Sequence, residues 1–312
     1  MSKIALVFPG QGAQYIGMAR EIAQEYTEAM EVFQKASHAL SYSMENMVFE
    51  GTEETLKLTE NTQPAILTAS IACLQPLIKE GIKPSFVAGL SLGEYTAHVA
   101  AGSIGFEEAV ALVRKRGKYM QEAVPDGVGA MAAILGMENE AVEKCCEEAS
   151  SAGFVEPANY NCPGQLVVAG ETAAVEKVTE IAKEKGARRA LLLQVSAPFH
   201  CKLLEPAAIK LEKELESLEI KDMQVPVVTN VTGKVILNKE EIKLLLRNQV
   251  MNPVRWEQCV KTMLSEGVDT FVEIGPGKAL SGFIKKIDKS ARVFNIENLE
   301  SLKNTIEGIE GF

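Results

Sequence analysis

Histidine is scarce in this chain, cysteine follows no ligand spacing, and no long apolar run occurs. Its 312 residues include three histidines and six cysteines (73, 145, 146, 162, 201 and 259), with no C-x-x-C pair. A zinc site needs clustered thiolates or imidazoles, so no metal is expected. Scattered thiols read as reduced cysteines of a cytoplasmic protein. Positive charge is in deficit as well: 32 Lys and Arg stand against 42 Asp and Glu, a net charge of −10. Neither nucleic acid nor an anionic membrane surface is therefore an expected partner, and an acidic partner needs a local basic patch. The apolar start at 3–8 is too short for a signal peptide and lacks a small-residue cleavage site. The longest apolar stretch, 86–106, is interrupted by Glu94 and His98, so nothing reads as a membrane span.

What is present fits a large globular chain, with 46% hydrophobic and 24% charged residues. The length suggests two domains, or one α/β body carrying an insertion. Residues 3–8 read as a buried strand closed by Pro9-Gly10-Gln11-Gly12. Helical patterns follow at 18–33 and 67–80, then a second buried strand at 85–90 and a helix at 106–123. This alternation predicts a mostly parallel sheet. The texture changes at Gly127. A strand at 128–135, a helix at 139–149, strands at 154–160 and 165–170, a helix at 173–185 and a strand at 188–194 give the order βαββαβ. That order is the ferredoxin-like split motif. The expected fold class is α/β: a body formed by 1–126 and 196–312 and a ferredoxin-like subdomain at 127–195. Body strands resume near 225–229 and 270–274.

Gly89-Leu90-Ser91-Leu92-Gly93 is a G-x-S-x-G motif between a predicted strand and a predicted helix. That context is what a nucleophile elbow requires: a serine on a sharp turn, its hydroxyl at a helix N-terminus where N–H groups favour an oxyanion. The hydroxyl needs a base. His38 reads as a solvent-facing helix residue, and His98 lies two turns along the elbow's own helix as a partly buried residue pointing away. Elimination leaves His200, in the loop Ser196-Ala197-Pro198-Phe199-His200. An acid to hold the imidazole is harder to find. Asp222, Asp269 and Glu273 follow His200, whereas hydrolases of this fold order serine, acid, histidine. Each reads as a surface charge or turn residue, and the third partner stays open.

Further segments occur in one order: Phe8-Pro9-Gly10-Gln11-Gly12-Ala13-Gln14, the elbow followed by Glu94-Tyr95, residues 114–121, Asn159-Tyr160-Asn161-Cys162-Pro163-Gly164-Gln165, Phe199-His200, Gln249 with Asn252-Pro253, and Gly275-Pro276-Gly277. From residue 3 to about 285 the chain resembles the malonyl-CoA:acyl carrier protein transacylase family of bacterial type II fatty-acid synthesis. The resemblance implies an α/β-hydrolase-like body with a ferredoxin-like insertion. It implies that Ser91 carries the acyl group, that His200 is its base, and that Gln249 accepts the Nδ1 proton in place of an acid. It also implies an oxyanion hole from the Gln11 and Leu92 main-chain N–H groups. Arg116 becomes the clamp for the malonyl carboxylate, with Phe199 and Asn161 in substrate binding. No cofactor is implied: malonyl-CoA is the substrate, and phosphopantetheine arrives on the acyl carrier protein. A monomer is expected. The family commonly has His before the nucleophile where this chain has Leu90, a change that activity is expected to survive.

The chemistry of two residues weighs on rival functions. A guanidinium clamps a carboxylate with two parallel hydrogen bonds, which Lys cannot copy. Arg114, Lys115 and Lys118 read instead as a solvated basic face. A neutral partner for His200 suits an enzyme that must hold an acyl ester until a thiol arrives. A serine esterase or thioesterase on this fold has no use for Arg116 or Gln249, and a noncatalytic docking module has no use for Ser91, His200, Gln11 and Arg116 together. A discrete acyltransferase serving a polyketide synthase shares all of these features.

Overall fold

Strands with unbroken apolar runs occupy the centre of the molecule, as a sheet covered on both faces requires. The computed structural model describes residues 2–125 and 127–310. In chain order its strands are β1 (Lys3–Phe8), β2 (Phe86–Gly89), β3 (Gly129–Leu135), β4 (Val155–Cys162), β5 (Gln165–Glu171), β6 (Arg189–Leu192), β7 (Val227–Val228), β8 (Val268–Ile274) and β9 (Arg292–Ile296). Five of them form one sheet in the order β7-β2-β1-β8-β9, with every pair parallel. Alternation along β1 feeds two cores. Leu6 and Phe8 face the layer holding helices Thr59–Lys79 and Phe106–Glu122, while Ala5 and Val7 face Trp256, Val260 and Phe271.

The remaining four strands form an antiparallel sheet in the order β4-β5-β3-β6. Helices Asn139–Ala149 and Thr172–Glu184 join them in the sequence βαββαβ, the ferredoxin-like arrangement. Ala132 and Ile134 of β3 pack with Val142 and Val178 of those helices. Met131 and Ala133 turn the other way and join the core of the body. The two sheets therefore share apolar packing. The boundary drawn at 126/127 falls on Asp126, outside the described residues, as do the chain-end bounds at 1 and 312.

Some boundaries differ from expectation. The helix expected over 18–33 is two helices, Arg20–Glu25 and Thr27–Leu40, broken at Tyr26, whose backbone is extended. The helix expected from 67 starts at Thr59. Its first turns are polar and contain Pro64, yet Thr62 is buried, with its hydroxyl on the Leu56 carbonyl at 2.6 Å. His98 is fully buried rather than partly so. Its Nδ1 meets the Ser103 hydroxyl at 2.9 Å, and burial lowers its pKa to about 3. Among the described residues no helix is long and apolar enough to cross a membrane.

Parallel pairing sets the site. Phe8 is level with Gly89, so the loops leaving β1 and β2 emerge side by side at the C-terminal edge of the sheet. The elbow is packed backbone against backbone there. A Cβ added at Gly93 would lie inside contact distance of the Phe8 carbonyl, and one at Gly89 would meet Gly93. Gly93→Ala is expected to destabilise the fold by about 3 kcal/mol through this overpacking. Thermal denaturation checks it, and a Tm within about 1 °C of wild type would show that the turn relaxes.

Candidate active site

Ser91 lies between β2 and the helix Leu92–Ala100 with φ 55° and ψ −105°, a conformation that L side chains rarely adopt. Two hydrogen bonds from one side chain hold it there. Asn230 Oδ1 accepts the Ser91 N–H at 2.7 Å, and Asn230 Nδ2 donates to the Gly89 carbonyl at 2.7 Å. Asn230 follows the short strand β7, which pairs with β2, so the sheet carries its own brace to the elbow. His200 also has a positive φ, 62°, in the loop before the turn Lys202–Leu204.

The strained residues meet: Ser91 Oγ and His200 Nε2 are 2.7 Å apart. His200 Nδ1 lies 2.8 Å from the main-chain carbonyl of Gln249. A carbonyl only accepts, so Nδ1 carries the proton and Nε2 presents its lone pair to the serine hydroxyl. Gln249 closes the helix Ile242–Gln249, where carbonyls lack intrahelical partners and are free for this bond. The contact to the imidazole thus comes from the Gln249 main chain. Its side chain is occupied elsewhere, with Nε2 donating to the Ser91 carbonyl at 2.9 Å and to Glu94 Oε2 at 2.7 Å.

Arg116 is buried beside them, on the helix Phe106–Glu122. It donates from Nη1 to Gln63 Oε1 at 2.7 Å, and from Nη2 to Gln249 Oε1 at 2.9 Å and Ser91 Oγ at 3.2 Å. Its guanidinium sits 5.1 Å from the Tyr95 ring centre. Five N–H donors against these three acceptors leave capacity for an incoming anion. Its neighbours behave as a solvated face: Lys115 pairs with Glu214 at 2.7 Å and Lys118 with Glu122 at 3.8 Å, while Arg114 stacks on Tyr42. Burial pushes the His200 imidazole down to about 3, the Arg116 charge adds to this, and the bond to Gln249 opposes it. The imidazole therefore stays neutral well below its ordinary range.

Ser91, His200, Arg116 and Gln63 line one cavity of about 510 Å³, together with Gln11, Leu92, Asn161 and Phe199. Leu92 is the first residue of its helix, so its N–H has no intrahelical partner. The Gln11 side chain turns to Thr59 Oγ1 at 3.3 Å. Asn161 is buried, and its Oδ1 has no partner among the described residues. Leu90 lines the same cavity. All six cysteines are buried and free, and burial pushes Cys201, next to the base, up to about 12. No cluster of His, Cys, Asp and Glu among the described residues could hold a metal.

Other expectations separate. His38 is exposed on its helix, as expected. Asp222 and Asp269 are surface residues paired with Lys239 and Arg292. Glu273 is not a surface or turn residue: it is buried and accepts from the N–H groups of Leu280 and Ser281, holding the start of the helix Ala279–Ile287. The structure adds Asn230, Gln63 and Glu94, which no sequence motif places at the site. Asn230 had no motif around it, and Glu94 stood next to the elbow without a sign that its side chain turns inward.

The fold and the site define an α/β enzyme of hydrolase-like architecture whose serine and histidine are aligned without an acid. A family model described as the acyl transferase domain matches residues 5–304. The chain is 47% identical to the malonyl CoA-acyl carrier protein transacylase of Bacillus subtilis, over 99% of this chain and 98% of that protein. The crystal structure of malonyl CoA-acyl carrier protein transacylase from Clostridium perfringens superposes with a TM-score of 0.97 at 49% identity, covering 99% and 98% of the two chains. A malonyl-transacylase solved in complex with a type II PKS acyl-carrier protein gives 0.96 at 44% identity, covering 100% of both. The chain belongs to the acyl transferase family and, within it, to the malonyl CoA-acyl carrier protein transacylases.

The depressed imidazole has a measurable consequence. A base whose pKa is lowered stays unprotonated until the pH falls far below the ordinary 6.5. Labelling of Ser91 by a neutral fluorophosphonate is expected to hold its rate from about pH 8 down to about pH 5. In Arg116→Ala the cation beside the imidazole is gone, so the acid limb should move to higher pH. A wild-type limb centred near 6.5 would show that His200 is not desolvated as described.

Proposed function

We propose that this acyltransferase moves malonyl from malonyl-CoA to the phosphopantetheine thiol of acyl carrier protein through an ester on Ser91. The observation that carries the reading is the buried guanidinium of Arg116 at 3.2 Å from the Ser91 hydroxyl. An acyl group held there is recognised by a free carboxylate at its far end, which malonyl has and acetyl lacks. Ser91 Oγ attacks the thioester carbonyl while His200 Nε2 takes its proton. The Gln11 and Leu92 N–H groups receive the oxyanion, with Phe199 and Asn161 shaping the acyl pocket. Collapse expels the CoA sulfur, which takes the proton from His200. The carrier's thiol then repeats the steps in reverse order, giving its proton to His200 and leaving Ser91 free.

Gln249 serves this cycle through its carbonyl, which fixes the histidine tautomer without adding the basicity of a carboxylate. Activation of water stays weak and the ester survives until a thiol arrives. We assign the activity to the cytoplasm, to fatty-acid elongation, and to a cleft roofed by the insertion at 127–195. A second reading, supply of malonyl to a polyketide carrier, is favoured by the likeness to the transacylase solved with a type II PKS carrier.

Malonyl-CoA alone should leave a malonyl ester on the peptide carrying Ser91, and Ser91→Ala should abolish it. Arg116→Ala should cost malonyl transfer about 3 kcal/mol while acetyl transfer holds or rises. Equal losses for both acyl groups, read by mass spectrometry and initial rates, would sink the clamp.

Carrier docking has a candidate surface. Acyl carrier proteins are acidic, and this chain is itself acidic, so attraction needs clustered cations. Of Lys183, Lys185, Arg188 and Arg189, Lys185 is paired with Glu148, while both arginines are exposed. They lead through β6 into Leu193 and Val195, which line the cavity. A second cluster, Lys285, Lys286 and Lys289, follows Ala279, Leu280 and Phe283 of the same cavity wall. Reversing Arg188 and Arg189 to Glu should raise KM for the carrier about tenfold and flatten its salt dependence, with Ser91 malonylation by CoA unaltered. Unchanged carrier kinetics after reversing both clusters would move docking elsewhere.

A further inference from the structure

Arg116 is buried, yet no carboxylate touches it. Its three acceptors, Gln63 Oε1, Gln249 Oε1 and Ser91 Oγ, are neutral groups. A cation sealed from water without a counter-charge is strongly disfavoured. One amide away stands Glu94, fully buried. Gln249 Nε2 donates to Glu94 Oε2 at 2.7 Å, and Gln249 Oε1 accepts from Arg116 Nη2 at 2.9 Å. A carboxylate on the N–H side of an amide and a cation on its C=O side polarise it in the same sense. Two more donors hold the carboxylate: the Thr229 hydroxyl on Oε1 at 2.7 Å and the Asn230 N–H on Oε2 at 3.0 Å. Burial pushes this carboxyl's pKa up, while these three donors and the Arg116 charge favour the ionised form.

We propose, resting on the assignment of Arg116 to the malonyl carboxylate, that Glu94 is the counter-charge of that guanidinium. It acts as a positioning residue through the side-chain amide of Gln249. The indirect route matters. A direct Glu94–Arg116 pair would occupy the N–H fork that the substrate needs and would place one carboxylate against another. Held through an amide, the guanidinium is fixed and charge-balanced while N–H capacity beyond its three neutral acceptors is kept for the substrate. Glu94 also accepts from the main chain of Asn230, whose side chain braces the elbow. One carboxylate thereby ties the clamp and the nucleophile to a common frame.

The test is a double-mutant cycle. Glu94→Gln keeps the length and the partners of the side chain, because the Thr229 hydroxyl can turn from donor to acceptor, and removes the charge. Its ratio of malonyl to acetyl kcat/KM is expected to fall about tenfold, chiefly through KM for malonyl-CoA, whereas in the Arg116→Ala background Glu94→Gln should lower the ratio no further. Gln249→Met breaks the amide link but keeps the main-chain carbonyl on His200. It should show the same loss of selectivity, and it carries the test if Glu94→Gln does not fold. An additive loss in the Arg116→Ala background, or equal losses for malonyl and acetyl, overturns the proposal while the clamp reading stands. Arg116→Ala that alone leaves the malonyl preference intact overturns the clamp, and the counter-charge with it.

Discussion

A guanidinium sealed from water beside a serine hydroxyl is the constraint around which this site is built. Arg116 must find acceptors in the protein, and they come from neighbouring helices. Gln63 approaches because Gly117 lets the helix Phe106–Glu122 close on the backbone of Thr59 and Glu60, where any Cβ would collide. Gln249 approaches from the other side, at the end of its own short helix. Both amides are buried and turn their N–H groups away from the arginine: Gln249 to Ser91 and Glu94, Gln63 to the sulfur of Met120 at 3.8 Å. Polar residues that look out of place in apolar helices are the solvation shell of one cation.

The same economy governs the base. A buried carboxylate behind His200 would tighten its grip on a proton, but it would also stand near Arg116 and compete for it. A main-chain carbonyl at a helix end supplies orientation without a full charge. Orientation is also built into the backbone. Ser91 and His200 both occupy the left-handed half of backbone space, a strain that the surrounding hydrogen bonds and packing must hold. Asn230 does this for Ser91, and the Gln249 carbonyl holds the histidine ring.

Much of this is legible in the sequence. The strand at 3–8 and the helix at 139–149 have the expected bounds, because unbroken apolar runs and a strict helical period leave little choice. The serine and its base were legible from the G-x-S-x-G context and the shortage of histidines. The part that the sequence hides is polar. The first turns of the helix Thr59–Lys79 bury Thr59, Asn61, Thr62 and Gln63, which break the apolar helical period because their side chains bond to Ser196, Thr55, Leu56 and Arg116. Glu273 reads as a surface charge or turn residue because its partners, Leu280 and Ser281, lie in a helix that folds back onto β8. Gln249 was singled out through family resemblance, but a residue name cannot say that the main chain meets the imidazole while the side chain serves the arginine.

The two buried cationic centres, one actual and one latent, are also coupled. With the cavity empty, Arg116 adds to the burial that keeps His200 unprotonated, so the serine faces a weak base. Under the proposed reading, a malonyl carboxylate seated on Arg116 offsets that charge. The imidazole then gains proton affinity when the correct acyl group is in place. An acetyl group brings no carboxylate and leaves the base weak; water entering alone does the same. On this reading, selectivity at Arg116 would reach the proton transfer through electrostatics over a few ångströms, with no movement of the chain required. The hydrogen bond from Arg116 to the Ser91 hydroxyl fits this coupling, since an oxygen that donates its proton to His200 becomes the better acceptor for the guanidinium as charge develops on it.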